Sequence, residues 1–102
     1  LSAEENSFLS GEHLRFARDH IAVGSYESAV RSYRQAKRYA ARATGGPDPA
    51  ALRLEMAAAL ILSGQPDLAR EESEGLQWYG LTALERNGVP EWALAVLPIV
   101  PK

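Results

Sequence analysis

The run from Gly24 to Ala36 constrains this chain more than any other stretch, because a glycine is followed by alternating large and small residues. Four of them recur at spacings of three, four and three, which puts them on one face of an α-helix: Tyr26, Ala29, Tyr33 and Ala36. The alanines allow a neighbouring helix to approach closely, while the tyrosine rings fill the space beside it. The run therefore predicts a tight turn at Gly24 and then a helix packed against the preceding one.

A first helix is predicted before that turn, over about residues 5 to 23. Ser2 and Glu5 have the spacing of a capping box, and Ser10-Gly11-Glu12 offers a second start, so the helix begins between residues 3 and 11. It ends at Gly24, since glycine tolerates the left-handed conformation that follows many helices. The predicted packed face is a stripe at helical spacing: Leu9, His13, Phe16, Ala17, His20 and Ile21.

A loop rich in glycine and proline separates the second helix from the third. The second helix is predicted to run to about Ala43, because residues 44 to 49 hold two glycines and two prolines. Asp48 suits an N-cap and Pro49 the first helical position, so a third helix is predicted from there to about Ser63. This helix is apolar nearly all round, as expected of the middle element of a stack.

The rest of the chain is predicted to hold two more helices. A single long helix spans residues 67 to 87, because one helical face continues through that range. A last short helix spans residues 90 to 97, and extended chain follows it. The apolar residues near this end are interpreted as a cap folded over the last long helix, rather than as a bare patch: Trp92, Leu94, Leu97, Ile99 and Val100. The predicted fold class is therefore all-α.

The frame formed by the turn glycine Gly24 and Ala29, five residues later, recurs at Gly64 and Ala69 and again at Gly88 and Ala93. With its tyrosines, the first of these runs resembles the second helix of a tetratricopeptide repeat, which opens with Gly-x-Tyr-x-x-Ala-x-x-x-Tyr-x-x-Ala. The resemblance implies antiparallel helical hairpins stacked as a short right-handed superhelix in one domain. Repeat-like units would lie at about residues 10–44 and 49–79, with a C-terminal cap at 80–97.

Members of that family commonly bind a peptide or helix of another protein. The resemblance thus implies an interaction module, such as a scaffold, adaptor or chaperone-like domain, that is not an enzyme and needs no cofactor. Some members hold a terminal carboxylate with a clamp of Lys, Asn and Arg, but the aligned positions here are Leu14, Arg18 and Glu55, so no clamp is carried over. Two alternatives stay open: a self-associating structural module, and a domain like the three-helix microtubule-interacting and trafficking domain, which shares the same run.

The candidate partner-binding residues are basic and come from the first two helices. They are Arg31, Arg34, Lys37, Arg38 and Arg42 on the second helix, opposite its packed face, together with Arg15 and Arg18 on the first. They are interpreted either as solvated surface or as a dock for an acidic protein segment or amphipathic helix, including the acidic half of a second copy of this chain. Nucleic acid is not an expected partner, because the net charge is −2 and the tyrosines of the second helix lie on its packed face.

Other chemistry finds little support in the sequence. His13 and His20 are interpreted as hydrogen-bonded packing residues rather than metal ligands, and Glu71, Glu72 and Glu74 as a solvated helix face. The chain has no cysteine and no nucleophile elbow, so catalysis is not expected. Its apolar runs are shorter than the roughly 20 residues that a membrane-spanning helix needs. The expected location is the cytoplasm.

Overall fold

The computed structural model describes residues 1–74 and 88–98, and α-helix is the regular structure in both ranges. Five helices form there, each close to a position that the sequence predicts. We name them in chain order: α1 (Ala3–Ala22), α2 (Tyr26–Ala40), α3 (Pro49–Leu62), α4 (Pro66–Ser73) and α5 (Glu91–Val96). The all-α prediction is confirmed over these residues.

The helices pack in pairs around α3. α1 packs on α2, and α3 packs on α4, while α3 also contacts α2 and α5. As the apolar composition of α3 predicts, most of its residues are buried: Ala51, Leu52, Leu54, Glu55, Met56, Ala57, Ala58, Ala59 and Leu60. The core is therefore continuous from the first hairpin to α5, with α3 in its middle.

The start of α1 is fixed by the first of its two predicted caps. Ser2 Oγ accepts a hydrogen bond from the Glu5 N–H at 3.0 Å, and Glu5 Oε1 accepts one from the Ser2 N–H at 3.1 Å. This capping box satisfies two N–H groups that the helix leaves unpaired at its start. The alternative start at Ser10 is wrong, because α1 continues through Gly11.

The packed face of α1 differs from the predicted stripe. Ser10 and Ala17 are fully buried, whereas Phe16 is 48% exposed. Ser10 Oγ donates a hydrogen bond to the Ala36 carbonyl of α2 at 2.8 Å, so a small polar residue stands at the close approach of the two helices. The prediction counted only apolar and aromatic residues, and it therefore placed Phe16 on the wrong side of the helix.

The remaining residues of the predicted stripe lie at the edge of the contact. Leu9, His13, His20 and Ile21 are half-buried. His13 stacks on Tyr39 of α2 with ring centroids 5.4 Å apart and ring planes 8° apart. The histidine thus belongs to the packing between the two helices, as the sequence predicts.

The face of α2 that faces the core is the predicted one. Ala29, Tyr33 and Ala36 are fully buried, and Tyr26 is half-buried at the start of the helix. The helix ends at Ala40, three residues before the predicted end. The N-terminal part of α1 holds the chain that follows, since Ser7 Oγ donates to the Gly45 carbonyl at 2.9 Å.

The two hairpin turns have matching geometry. Gly24 and Gly64 have φ angles of 78° and 81°, in the left-handed region that favours glycine. The residue after each glycine donates its N–H to the carbonyl five residues earlier: Ser25 to His20 at 2.9 Å, and Gln65 to Leu60 at 2.9 Å. These bonds are of the kind that close a helix at a left-handed residue, so both glycines stop their helices as predicted.

The prediction of one helix over residues 67 to 87 is right for residues 67 to 73 and wrong at residue 74. α4 ends at Ser73, and Glu74 has an extended conformation with a ψ angle of 138°. The Ser73 hydroxyl donates to the Ala69 and Arg70 carbonyls, and Gly75 comes next in the sequence, so the local sequence favours an end here. Residues 75 to 87 lie outside the described residues.

The last helix caps the core. Ala93 and Leu97 are buried, and Trp92 and Leu94 pack against the core cluster. These residues therefore pack against the core, with α5 in contact with α3, and are not left bare. Most of the long helix that they were predicted to cover lies outside the described residues, as do Ile99 and Val100.

Candidate partner-binding site

The arginine stripe, which we define as Arg31, Arg34, Arg38 and Arg42, is exposed as the sequence predicts. Its first three members lie on α2, and Arg42 follows the end of that helix. Arg31 donates a hydrogen bond to Ser28 Oγ at 3.0 Å, one turn earlier on the same helix. Within residues 1–74 and 88–98, none of the four forms a salt bridge. The stripe thus presents four positive charges to solvent.

The other three candidate residues are paired with carboxylates of this chain. Arg15 pairs with Glu12 on α1, and its side chain remains exposed. Lys37 Nζ donates to both carboxylate oxygens of Glu72, at 2.8 and 3.0 Å. Arg18 pairs with Glu55. Three of the seven predicted residues therefore have their charge paired within this chain.

Glu72 ties three helices together. It accepts from Lys37 of α2, and the Arg53 guanidinium of α3 lies 3.5 Å from Glu72 Oε1. Only 13% of the Glu72 side chain is exposed. The prediction of a solvated glutamate face is wrong for this residue, because its partners come from elements far away in the sequence.

Arg18, Tyr33 and Glu55 form a second polar cluster, between α1, α2 and α3. Arg18 donates two hydrogen bonds of 2.8 Å to the Glu55 carboxylate, and the Tyr33 hydroxyl donates one of 2.5 Å. Arg18 also donates to the Gly88 carbonyl at 3.3 Å, which joins the segment before α5 to the cluster. Burial and the Glu55 charge raise the pKa of Tyr33, while the hydrogen bond to Glu55 raises the pKa of Arg18.

A small cavity adjoins this cluster and is lined by residues of α1 and α3. The cavity there measures about 200 Å³ and is lined by Leu14, Arg18, Leu52 and Glu55, among others. Arg18 and Glu55 neutralise one another across it. Two side chains already joined by a bidentate ion pair do not form a carboxylate clamp.

A groove of about 510 Å³ lies on another side of the molecule, between α2 and α4. Arg34, Lys37 and Arg38 line it along α2, and Glu71 and Glu72 line it along α4. Its apolar lining comes from α3, α4 and the end of α2: Met56, Leu60, Leu68 and Ala41. Two arginines of the stripe therefore stand beside this apolar lining, which we call the apolar floor. Its exposed surface comes mainly from Leu68, since Met56 and Leu60 are buried.

This floor could not be identified from the sequence. Met56 and Leu60 belong to a helix that is apolar nearly all round, so periodicity alone cannot say which of its residues reach a groove. Leu68 is the one floor residue whose position the sequence indicates, because it is apolar and lies off the packed face that contains Ala69. In the structure Ala69 is buried, and 38% of Leu68 is exposed. A single exposed apolar residue is common on protein surfaces, so Leu68 gains meaning only from its place beside the arginines in the groove.

The described part of the chain contains neither a cluster of metal ligands nor a membrane-spanning helix. No group of three or more His, Asp or Glu side chains is placed there to hold a metal ion. No helix in residues 1–74 and 88–98 is long and apolar enough to cross a bilayer.

Comparison of the chain with models of known protein families, with curated proteins and with solved structures finds no match. The observations that bear on function are therefore the geometry and chemistry of the chain itself: a small all-α domain with paired helices, an exposed arginine stripe, and a groove with an apolar floor beside it.

Proposed function

We propose that this chain is a tetratricopeptide-like interaction module that binds an acidic, amphipathic segment of another protein in the groove between α2 and α4. The observation that carries this function is the position of Arg34 and Arg38 in one groove with the exposed Leu68. An acidic helix with leucines on one face would place its carboxylates on the arginines and its apolar face on the floor. No catalytic step or cofactor enters this function.

The repeat-like architecture is supported by local geometry. Each of the three glycines of the repeated frame has a positive φ angle, 78°, 81° and 84° for Gly24, Gly64 and Gly88. The alanine five residues after each is buried: Ala29, Ala69 and Ala93. We accordingly propose repeat-like units at residues 10–44 and 49–79 and a cap at 80–97, stacked as a short superhelix. The alternative of a three-helix trafficking-type domain fits less well, since the described residues alone form five helices.

The two parts of the groove would contribute differently. Exposed charge pairs are each worth about 0 to 1 kcal/mol, and they act mainly on association rate and on the choice of partner. Apolar contact contributes about 25 cal/mol per Å² of surface removed from water, so the floor would add to the affinity through the part of Leu68 that a partner covers. Charge contacts are screened by salt, whereas the apolar contact is not weakened in the same way.

A defined peptide probe tests this function. The probe is a labelled amphipathic helix with leucines at helical spacing and glutamates on its other face, and its control has every glutamate replaced by lysine. We expect stopped-flow measurements to show binding of the acidic probe and not of the basic one. Changing Arg31, Arg34 and Arg38 together to Gln should slow association of the acidic probe and flatten its dependence on ionic strength.

Two further variants distinguish binding in the groove from non-specific attraction to surface charge. Leu68→Ala should speed dissociation with little effect on association, because it removes part of the apolar floor. Arg70→Gln is the matched control, since Arg70 is an exposed arginine of α4 that does not line this groove. If the triple variant binds the acidic probe as fast as the parent at low salt, the stripe is ordinary solvated surface and the proposed function is wrong.

A further inference from the structure

The outer face of α1 carries large apolar side chains in solvent. Phe8 is 66% exposed and Phe16 48%, and Val23, just beyond the helix, is 74% exposed. Phe8 is nine residues from the buried Ala17, which puts the two on opposite sides of the helix at about 100° per residue. This face therefore points away from α2, and the packing that covers the rest of α1 leaves it open.

Acidic residues surround these aromatic rings. Glu4, Glu5 and Asp19 are exposed on α1, and Glu12 lies between the two phenylalanines, with Arg15 as its partner. We call Phe8, Phe16, Glu4, Glu5 and Asp19 the α1 patch. The combination of carboxylates and aromatic rings favours arginine as a partner, since a guanidinium both pairs with carboxylates and stacks on rings.

The arginine stripe on α2 is the complement of the α1 patch. Phe8 and Phe16 lie eight residues apart, about 12 Å along the helix, and Arg31 and Arg38 lie seven apart, about 10.5 Å. The two surfaces cannot meet within one molecule, because Ser10 and Ala17, on the other side of α1, are the residues that face the core. A contact between them has to join two copies of the chain.

We propose that the α1 patch of one copy docks on the arginine stripe of a second copy, so that the chain itself supplies the acidic amphipathic partner. This inference rests on the proposed function, in which the stripe receives an acidic segment. The contact joins two different surfaces, so each copy keeps one of each for a further neighbour, and assembly continues unless the rotation closes a ring.

Sedimentation velocity over a range of protein concentrations tests the contact. At about 0.1 M salt, where screening acts over about 10 Å, the parent should exceed the monomer mass, and at about 1 M salt, where it acts over about 3 Å, the mass should fall towards the monomer. The patch variant, Phe8→Ser with Phe16→Ser, and the stripe variant, Arg31→Gln with Arg34→Gln and Arg38→Gln, should each stay monomeric. Arg70→Gln is the control and should associate like the parent, because Arg70 is an exposed arginine that belongs to neither surface.

Mixing the two variants gives the decisive result. Each lacks one surface, so an equimolar mixture retains one matched pair and should form a complex of twice the monomer mass and nothing larger. A misfolded variant would not restore association in this way. A parent that stays monomeric at low salt, a patch variant that associates like the parent, or a mixture that stays monomeric would each overturn the inference. In each of these cases, binding of the acidic probe to the stripe would still support the proposed function.

Discussion

Glu55 is a carboxylate in the middle of the most buried helix, and side chains from two other helices hold it there. It is 2% exposed, and it accepts hydrogen bonds from Arg18 of α1 and Tyr33 of α2. A buried charge is tolerated only when it is paired and hydrogen-bonded. The cluster thus fixes how α1, α2 and α3 sit against one another.

A double-mutant cycle on Tyr33 and Glu55 measures this coupling. Tyr33→Phe removes only the hydroxyl, and it should lower the free energy of unfolding by about 1.5 to 3 kcal/mol, because that hydroxyl bonds to a charged group. Glu55→Gln should lower the free energy of unfolding by about 3 kcal/mol. This is the lower end of the range for breaking a buried ion pair, because Arg18 is half-exposed and its guanidinium can be solvated. In urea unfolding, the double variant should lose less free energy of unfolding than the sum of the losses in the two single variants. Strict additivity would contradict a shared contact.

The raised pKa of Tyr33 predicts a loss of stability in alkaline solution. Unfolded tyrosine releases its proton near pH 10, whereas burial and the Glu55 charge keep Tyr33 protonated in the native state. The native state then binds more protons than the unfolded state, so this contribution to stability is present in full below about pH 10 and falls as pH rises above it. Between pH 10 and 11, the free energy of unfolding of the parent should fall by about 1 kcal/mol more than that of the Tyr33→Phe variant. Urea titrations at fixed pH check this, and equal losses would contradict it.

At the scale of elements, two glycines in or next to α1 should respond in opposite ways to the same change. Gly24 has a φ angle of 78°, which an alanine adopts only with strain, so Gly24→Ala should lower the free energy of unfolding by about 1 to 2 kcal/mol. Gly11 lies inside α1, and an added Cβ there meets nothing within 4 Å. Gly11→Ala should therefore raise the free energy of unfolding by about 0.5 to 1 kcal/mol. Thermal or urea unfolding of the Gly24→Ala and Gly11→Ala variants checks the direction of each change in stability. A change in the same direction for both would contradict the turn geometry.

Helix starts and stops could be predicted because their signals are local. Gly24 and Gly64 end their helices through their own backbone conformation, and Asp48 caps α3 through an N–H two residues away. The face of α1 could not be predicted in the same way, since Ser10 is buried by a hydrogen bond to a carbonyl of α2. The end of α4 was missed for a related reason: a continuing apolar face does not show that the backbone between its residues stays helical.

The candidate site was predictable to the same extent. The spacing of Arg31, Arg34 and Arg38 predicts a shared exposed face from the sequence alone, and the structure has it. Lys37 belongs to the same side of α2, yet its ammonium group is paired with the carboxylate of Glu72, a residue 35 positions away. Which cations stay available to a partner thus depends on tertiary contacts that helical spacing does not contain.

At the scale of the whole molecule, the described helices share one core. The radius of gyration is 12.8 Å, close to the value of about 13 Å expected for a compact domain of 100 residues. One cluster of buried residues extends from Ala17 of α1 through α3 to Ala93 of α5. Helices that share a core in this way lose their packing together, so a single cooperative transition is expected.

Trp92 offers a direct test, because it lies on α5, the last described helix, and packs against the core cluster. Trp78→Phe leaves Trp92 as the single tryptophan. In urea, the fluorescence of Trp92 and the far-ultraviolet ellipticity should then give the same midpoint and slope, since α5 and the α3 helix beneath it unfold in one step. Gly24→Ala should lower both midpoints equally, although Gly24 lies at the other hairpin. A fluorescence transition that precedes the loss of helix would mean that α5 is a separate, weaker unit, and the first four helices would then form the cooperative domain by themselves.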